Sequence, residues 1–507
     1  MKKLVLAIVT GAAVLAAALI PSGPPVVAAT LGFGSAVSAI KQTSWQTNNS
    51  VNALAISGNT VFAGGLFTKI RQPGKPAGQG ESVRTYIAAF NRTTGAPTAF
   101  APTLNGPVYS IATSADGKWV VIGGDFTTVN GIKRSKIAMF SVVTGKLVAA
   151  WDPVVAARVK ALAIYGNSVY IGGAFGTIDG TARNRLGAVR LIQGDLLPWN
   201  PNANNDVYAI DVSDNGTRVF VGGPFSTING QDHYSLAMLN TTTGAAYSFP
   251  AAAAIPKPTA TCTTRVKDID TLGDKVFVSN GGDGSGCYDG VLAAQVSTGQ
   301  LLWQNKCLGA TEAIKAIGDW VYKGSHAHDC RSSGAFGNGT GTHYLLVESA
   351  INGNLGPWFP NTDADQSSTT QVGPLAMAGT STDLWVGGDF LNVNGKPQRG
   401  LTRFTNTPGG AIPAVPKTPM VTATSAGRVY VKYSDVYDLD NLSLTYNVFR
   451  GSTLIASSKY TTYFWELRKS YTVMNRGLTR GSTYTFHIEV HDGRNIVKSP
   501  SVTVKIP

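Results

Sequence analysis

Charged residues and the common catalytic motifs are scarce in this chain of 507 residues. Only 14% of the residues are charged, and glutamate occurs just five times. The G-x-S-x-G, HExxH and P-loop motifs, which mark esterases, zinc proteases and nucleotide-binding proteins, are all missing. The sequence therefore supports none of these enzyme classes. Glycoside hydrolysis remains an alternative, because it needs two carboxylates that can come together only in the folded chain.

The rest of the composition is typical of a folded all-β protein. Hydrophobic residues make up 43% of the chain and glycine occupies 58 positions, so long disordered segments are not expected. The net charge is +13, yet no basic cluster or recognition helix is present, so we expect no nucleic-acid partner. The charge indicates a solvated surface or, at most, weak attraction to anionic surface polymers.

The N-terminus has the pattern of an export signal. Lys2 and Lys3 precede an apolar run that ends at Ile20, and small residues follow. This pattern predicts a signal peptide over residues 1–29, cleaved near Ala29. A retained membrane anchor is the alternative, which the short run and Pro21 disfavour. No second apolar span follows, so we expect a secreted or cell-surface protein with no membrane span in the mature chain.

One pattern of about twelve residues, VYIGGAFGTIDG in its clearest form, recurs along the chain. Its seven copies begin at Val61, Val120, Val169, Val219, Val276, Val321 and Leu384. The copies at Val276 and Val321 are eroded. Strand and turn repeats at intervals of about 45 to 65 residues are typical of a β-propeller. We expect four strands in each repeat. In the third repeat they are Val159–Ile164, Ser168–Ile171, Leu186–Leu191 and an outer strand ending at Trp199.

The outer strands of six repeats end in an aromatic residue, namely Phe100, Trp151, Trp199, Phe249, Trp303 and Trp358. The seventh repeat breaks off after its third strand, Leu401–Phe404, whereas an unassigned strand, Ser38–Trp45, precedes the first repeat. We expect this N-terminal strand to pair with the seventh repeat and remove the open edge. The sequence thus predicts a seven-bladed β-propeller over residues 30–406, closed by its N-terminal strand.

The paired glycines of the repeat have a packing rationale. Glycine permits close approach of a neighbouring blade, and the phenylalanine two residues further on can supply the entering side chain. These phenylalanines are Phe67, Phe126, Phe175, Phe225 and Phe390. No helix follows the glycines, so a phosphate-binding role is disfavoured.

A linker and a second domain follow the repeats. Residues 407–419 are rich in proline, glycine and alanine and predict a linker. Residues 420–507 contain short alternating strands and predict a small β-sandwich. Its strands are expected at Arg428–Tyr433, Ser443–Arg450, Tyr484–Val490 and Ser501–Ile506.

Four cysteines in an exported chain favour disulfides. Three pairings are possible, and the repeat register favours Cys262 with Cys287 and Cys307 with Cys330. In each pair one cysteine precedes a first strand and the other follows a second strand, and these positions share one face of a blade. Both blades lack the Gly-Gly-x-Phe pattern, so we expect the disulfides to stabilise them.

The sixth repeat replaces its standard loop with a histidine-rich segment. His326, His328 and His343 lie there with Asp329. A His-x-His pair on an extended chain points to one side, so these four residues are candidate ligands of a divalent metal. An incidental polar loop is the alternative, and no other cofactor is expected. Calcium at Asp435, Asp438, Asp440 and Asn441 is less favoured than a turn, because the EF-hand spacing is missing.

The order GG-x-F, then (I/V)-(N/D)-G, Thr-Gly and Trp-x-Pro resembles the delta-60-type repeats of secreted bacterial β-propellers, which are similar to quinoprotein repeats. The Trp-x-Pro element stands at Trp151, Trp199 and Trp358. The segments from Ser434 to Ser452 and from Gly477 to Asn495 resemble fibronectin type III-like domains. The resemblance implies an exported surface or matrix protein and supplies no catalytic residues and no cofactor.

These observations favour a secreted, non-catalytic binding or adhesion protein that recognises an extracellular glycan or cell-surface polymer. We expect a monomer. A glycosidase or lyase acting on polysaccharide and a structural component of an extracellular assembly are the alternatives. Fold alone does not decide between them.

Overall fold

The computed structural model describes residues 37–284, 287–339, 341–365, 367, 372–407 and 410–507. The predicted signal peptide over 1–29 lies outside these residues. The described chain is all-β, and its only helices are two short 3₁₀ turns, Pro250–Ala254 and Arg331–Ser333. Neither of these helices is long and apolar enough to cross a membrane.

Seven antiparallel sheets follow one another, and each is built from one repeat. The first strands are Val51–Ser57, Val108–Thr113, Val159–Tyr165, Ala209–Val212, Cys262–Leu272, Thr311–Ile317 and Gly373–Thr380. The second strands are Thr60–Gly65, Trp119–Gly124, Ser168–Gly173, Arg218–Gly222, Lys275–Gly284, Trp320–Ala327 and Asp383–Asp389. The third strands are Ile87–Asn91, Ile137–Ser141, Leu186–Arg190, Leu236–Asn240, Gly290–Gln295, His343–Ser349 and Leu401–Thr405.

Five repeats add a two-stranded ribbon between the second and third strands. The ribbons pair Lys69–Arg71 with Glu81–Val83, Thr128–Val129 with Ile132–Lys133, Thr177–Ile178 with Thr181–Ala182, Thr227–Ile228 with Gln231–Asp232 and Asn392–Val393 with Lys396–Pro397. Gln46–Thr47 extends the first of them.

The repeats are neighbours in chain order. Each first strand lies beside the first strand of the next repeat, and that of the seventh lies beside that of the first. The hydrophobic side chains of the strands pack between neighbouring sheets and form a series of clusters. The core of this region therefore lies between sheets.

The prediction of a fourth strand in each repeat is wrong for most of them. Within the described chain, the first four repeats and the sixth keep a single bridged pair in place of an outer strand, such as Val189 with Leu196. The fifth repeat has the outer strand Leu301–Lys306, and in the seventh the N-terminal strand Lys41–Gln42 takes this place. After this bridge the chain turns away so that its tryptophan reaches the next repeat. Trp151 Nε1 donates to the Arg190 carbonyl at 3.1 Å in this way. The six aromatic side chains are all buried.

The paired glycines do allow close approach, but the entering side chain is a valine. A Cβ on Gly387 of the seventh repeat lies 2.5 Å from Val51 Cγ1 of the first, and one on Gly172 lies 2.7 Å from Val207 Cγ1. These valines stand at or just before the first strands of the next repeats. The prediction that the phenylalanine fills this space is therefore wrong, although Phe67 and its equivalents are buried.

Two predicted contacts are confirmed. The N-terminal strand Lys41–Gln42 pairs with the third strand of the seventh repeat, placing Lys41 opposite Phe404. Disulfides join Cys262 to Cys287 and Cys307 to Cys330.

The C-terminal residues form two further sheets around one hydrophobic cluster. Met420–Thr424, Arg428–Ser434 and Ser470–Asn475 form one sheet. Ser443–Arg450, Thr453–Thr461, Thr483–His491, Ile496–Lys498 and Val502–Lys505 form the other. The predicted strand Ser443–Arg450 has these same bounds.

A buried aspartate joins the C-terminal sheets to the chain before the repeats. Asp440 is fully buried, and its Oδ2 accepts hydrogen bonds from Ser38 Oγ at 3.0 Å and from the Ala39 amide at 2.8 Å. The Ala411 amide donates to the same oxygen at 2.9 Å. Asp438 Oδ1 accepts from the amides of Asp440 and Asn441. Within the described chain these residues form the turn that the sequence favoured over a calcium loop.

Candidate functional site

The candidate metal ligands of the sixth repeat have other partners. His326 Nε2 accepts a hydrogen bond from the Ala310 amide at 3.3 Å. His328 Nδ1 lies 2.9 Å from Asn338 Oδ1. The Arg331 guanidinium binds both carboxylate oxygens of Asp329 and holds the pKa of this group below its usual range.

His343 lies in an aromatic cluster. Its ring centroid is 4.1 Å from that of Phe336, 5.2 Å from that of Phe359 and 5.4 Å from that of Phe464 in the C-terminal sheets. Burial lowers its pKa to about 4, so the imidazole is neutral at physiological pH. Among the described residues, no three His, Cys, Asp or Glu side chains are grouped as a metal site requires. The structure therefore does not bring His326, His328, Asp329 and His343 together.

A cavity of about 180 Å³, here called the mouth cavity, is lined by residues from all seven repeats. Six of the lining side chains stand at equivalent places in the first six repeats, one residue after Val51, Val108, Val159, Val207, Val266 and Thr311. These are Asn52, Tyr109, Lys160, Tyr208, Lys267 and Glu312, with Leu375 in the seventh repeat.

A β-bulge exposes all of these residues to the mouth cavity except Tyr208, which lies just before the first strand of the fourth repeat. In six first strands the pairing with the second strand skips this position, for example between Val159 and Ala161. The extra residue of a bulge is left out of the ladder and can be directed away from the sheet. Each repeat thus contributes one variable side chain to a shared surface.

Ion pairs and aromatic contacts order the mouth cavity. Lys160 Nζ lies 2.8 Å from Asp206 Oδ2 and 4.3 Å from the centre of the Tyr208 ring. Lys267 Nζ lies 2.9 Å from Glu312 Oε2. Asp206 also pairs with Arg185, whose Nε lies 3.4 Å from Oδ1. These contacts pair both lysines with carboxylates and restrict their rotamers.

The Arg158 guanidinium carbon lies 4.9 Å from the centre of the Tyr109 ring, and Arg158 also bonds to Asp125. Burial raises the pKa of Tyr109, so its hydroxyl stays protonated and can both donate and accept hydrogen bonds. The mouth cavity therefore offers two tyrosines in fixed positions beside charges that are paired.

A second cavity of about 400 Å³, here called the inner cavity, adjoins the first and is also lined by all seven repeats. When Val51, Val108, Val159, Val207, Val266 and Thr311 are counted as position one, alanines occupy most of the third and fifth positions. The exceptions in the fourth, fifth and sixth repeats are Asp211, Asp268, Asp270 and Lys315, all partly exposed to the cavity.

The carboxylates of the inner cavity bind the free edge of the next first strand. Asp211 Oδ2 accepts from the Thr271 amide at 2.7 Å, and Asp268 Oδ2 accepts from the Ile314 amide at 2.9 Å. Asp270 accepts from an amide of the sixth repeat and from Lys315 Nζ, the latter at 2.6 Å. Side chains of one repeat thus satisfy main-chain donors of the next.

Burial raises the pKa of Asp211 and of Asp268 to about 7, and the neighbouring carboxylate of Asp270 adds to both shifts. The surrounding carboxylates oppose the burial of Lys315, so its pKa is raised. Near neutral pH Asp211 and Asp268 can therefore gain or lose a proton.

Sequence reasoning missed these four residues and the bulged positions. The signal was present, because alignment of the seven first strands shows small residues replaced by Asp or Lys only in the fourth to sixth repeats. The bulge itself could not be predicted, because it does not change the alternation of apolar and polar residues in the first strands.

No model of a protein family matches this chain, and no curated protein matches it. The function has to be inferred from the chemistry of the mouth and inner cavities.

Proposed function

We propose that the seven sheets are the blades of a β-propeller and that the two C-terminal sheets form a fibronectin type III-like β-sandwich. The order of neighbouring first strands, the contact from Gly387 to Val51 and the two cavities shared by seven repeats support this arrangement. The mouth cavity then lies on the propeller axis.

The protein is a secreted, monomeric binding protein that holds an extracellular glycan or wall polymer at the mouth cavity. The side chain that each repeat presents there, at a bulge in six repeats and just before the first strand in the fourth, carries this proposal. A bulge adds a side chain that strand pairing does not need, and these positions differ from repeat to repeat as a recognition surface does.

The charges favour a neutral ligand. Lys160 pairs with Asp206, and Lys267 pairs with Glu312, so neither lysine is available to a polyanion without breaking an ion pair. Tyrosine rings and fixed hydrogen-bonding groups remain, and this mixture suits a sugar, which has both apolar faces and hydroxyl groups.

A glycan array and calorimetry on the mature protein test the proposal. Tyr208→Ala is expected to weaken binding of the captured glycan by about tenfold or more, equal to about 1.4 kcal/mol. Tyr430→Ala, on an exposed part of the C-terminal sheets, is the matched control and should not change the affinity. Equal loss in both variants, or unchanged binding in both, would contradict a site at the mouth.

The inner cavity favours one alternative, a polysaccharide-active enzyme. A carboxyl group with a pKa near 7 can act as a general acid, and Asp268 has this property. Release of reducing sugar from a polysaccharide, abolished by Asp268→Asn while the melting temperature is maintained, would establish the enzyme and end the binding-only proposal.

A further inference from the structure

The fourth repeat differs from its neighbours at the outer end. The segment from Phe249 to the next first strand at Cys262 is longer than the segment from Trp151 to Val159, and it contains the 3₁₀ turn Pro250–Ala254. This insertion lies over the ribbon that includes Gln231–Asp232, and an open cavity of about 460 Å³ lies between them. We call it the side cavity.

The cavity exists where an arginine is missing. In the second repeat Arg134 is buried, and its guanidinium donates to the carbonyls of Lys133 at 2.7 Å and Ala149 at 2.9 Å. Arg134 also reaches the Val148 carbonyl at 3.4 Å. Arg183 of the third repeat donates to the carbonyls of Ala182 and Leu197, which are the equivalents of Lys133 and Val148.

His233 takes this place in the fourth repeat. Like Arg134 and Arg183, it stands two residues before a residue with positive φ, which here is Ser235 at 62°. The side chain of histidine is shorter than that of arginine, so the space between the ribbon and the segment from Phe249 to Cys262 stays open. His233 lines this cavity.

The walls of the side cavity are two oriented tyrosines. The Tyr234 hydroxyl donates to Asp232 Oδ2 at 3.0 Å, and Lys257 Nζ lies 4.8 Å from the centre of the Tyr234 ring. The Tyr247 ring is held by Arg218, whose guanidinium carbon lies 3.8 Å from the ring centre, and its hydroxyl accepts from Asn240 at 2.7 Å. Both rings are thus fixed before any ligand enters.

The charges around this cavity select the class of ligand. Asp232 disfavours an anion and Lys257 disfavours a cation, whereas a neutral molecule with several hydroxyl groups can bond to both. The volume lies within the range of small-molecule sites. We propose that the side cavity is a second binding site, separate from the mouth cavity, for one neutral sugar residue, with Tyr234 and Tyr247 as walls and Asp232, His233 and Lys257 as hydrogen-bonding groups.

Saturation-transfer NMR with glucose, galactose, mannose and N-acetylglucosamine on the full chain tests this site. At least one sugar is expected to bind with a Kd near or below about 1 mM. His233→Arg restores the residue of the second and third repeats, and the guanidinium it introduces fills the cavity. This variant should keep or raise the melting temperature and lower the affinity at least about tenfold. Tyr234→Ala should lower the affinity similarly.

The mouth variant Tyr208→Ala separates the two proposals, because it should leave binding at the side cavity unchanged. Binding that survives both His233→Arg and Tyr234→Ala, or the lack of saturable binding of all four sugars, overturns the side cavity as a sugar site. Loss of glycan-array binding in Tyr208→Ala alone concerns only the mouth.

Discussion

The buried pair Lys323 and Glu348 gives a sharp test of how the sixth repeat is held together. Both side chains have an exposure of 0%, and they bond directly to each other. At the equivalent positions other repeats have apolar residues, for example Ile171 and Val189 in the third repeat. A charged pair thus replaces two apolar side chains between sheets.

Removal of one partner leaves the other charge buried and uncompensated. Lys323→Met is expected to lower the free energy of unfolding by about 3 to 5 kcal/mol, and Glu348→Leu by a similar amount. Because a whole protein is stable by only about 5 to 15 kcal/mol, either change removes a large share. The double variant Lys323→Met, Glu348→Leu restores an apolar contact and should be about as stable as the natural chain.

Equilibrium unfolding in guanidinium chloride, followed by tryptophan fluorescence, measures these four stabilities. The surface pair Lys69 and Glu81, in which the lysine side chain is 48% exposed and Nζ and Oε2 are 2.9 Å apart, is the control. Lys69→Met should cost less than about 1 kcal/mol. The reasoning fails if Lys323→Met is as mild as this control, or if the double variant loses the sum of both single effects.

The remaining predictions concern packing, disulfides and pH. Gly387→Ala places a methyl group against Val51 and should destabilise by about 1 to 3 kcal/mol, whereas Gly176→Ala, with nothing within 4 Å, should be neutral in the same thermal melts; equal melting temperatures would refute the close-approach argument. The double change Cys307→Ser, Cys330→Ser opens a loop of 23 residues and should cost about 3 kcal/mol in denaturant unfolding, and an unchanged midpoint would contradict it. Because the pKa of Asp268 is about 7 in the folded chain and about 4 when unfolded, the folded state binds the extra proton between these values. Stability should therefore fall as pH rises from about 4 to 7, and Asp268→Asn should flatten this slope in melts at several pH values; an identical slope in the variant would disprove the assignment.

Local sequence signals predicted the parts of the fold that repeat. The hairpin turns, the first three strands of each repeat, the pairing of Lys41–Gln42 with the seventh repeat and both disulfides follow from register, which a periodic sequence states many times. The outer strand was predicted wrongly because its short apolar run has strand character, whereas the docking of Trp151 on the next repeat decides its path.

The candidate sites could be predicted less well because they depend on contacts between repeats. Histidine density pointed to His326 and His343, yet three-dimensional packing places His343 among aromatic rings. Asp211 and Asp268 look unremarkable within their own strands, and only the neighbouring strand edge shows what they bind. The side cavity depends on a substitution, His233 for arginine, that is visible only when the repeats are compared.

The hydrogen bonds of Asp440 also constrain when the chain can finish folding. Ser38 and Asp440 are 402 residues apart, so the partner that secures the start of the chain is synthesised near its end. The earlier repeats can form sheets as they emerge, but the hydrogen bonds from Ser38 and Ala39 to Asp440 form only after the C-terminal residues have been synthesised. Contacts of such long separation slow folding. A chain truncated between the seventh repeat and residue 440 can still pair Lys41–Gln42 with Leu401–Thr405, so we expect only the residues around Ser38 and Ala39 to stay susceptible to proteases.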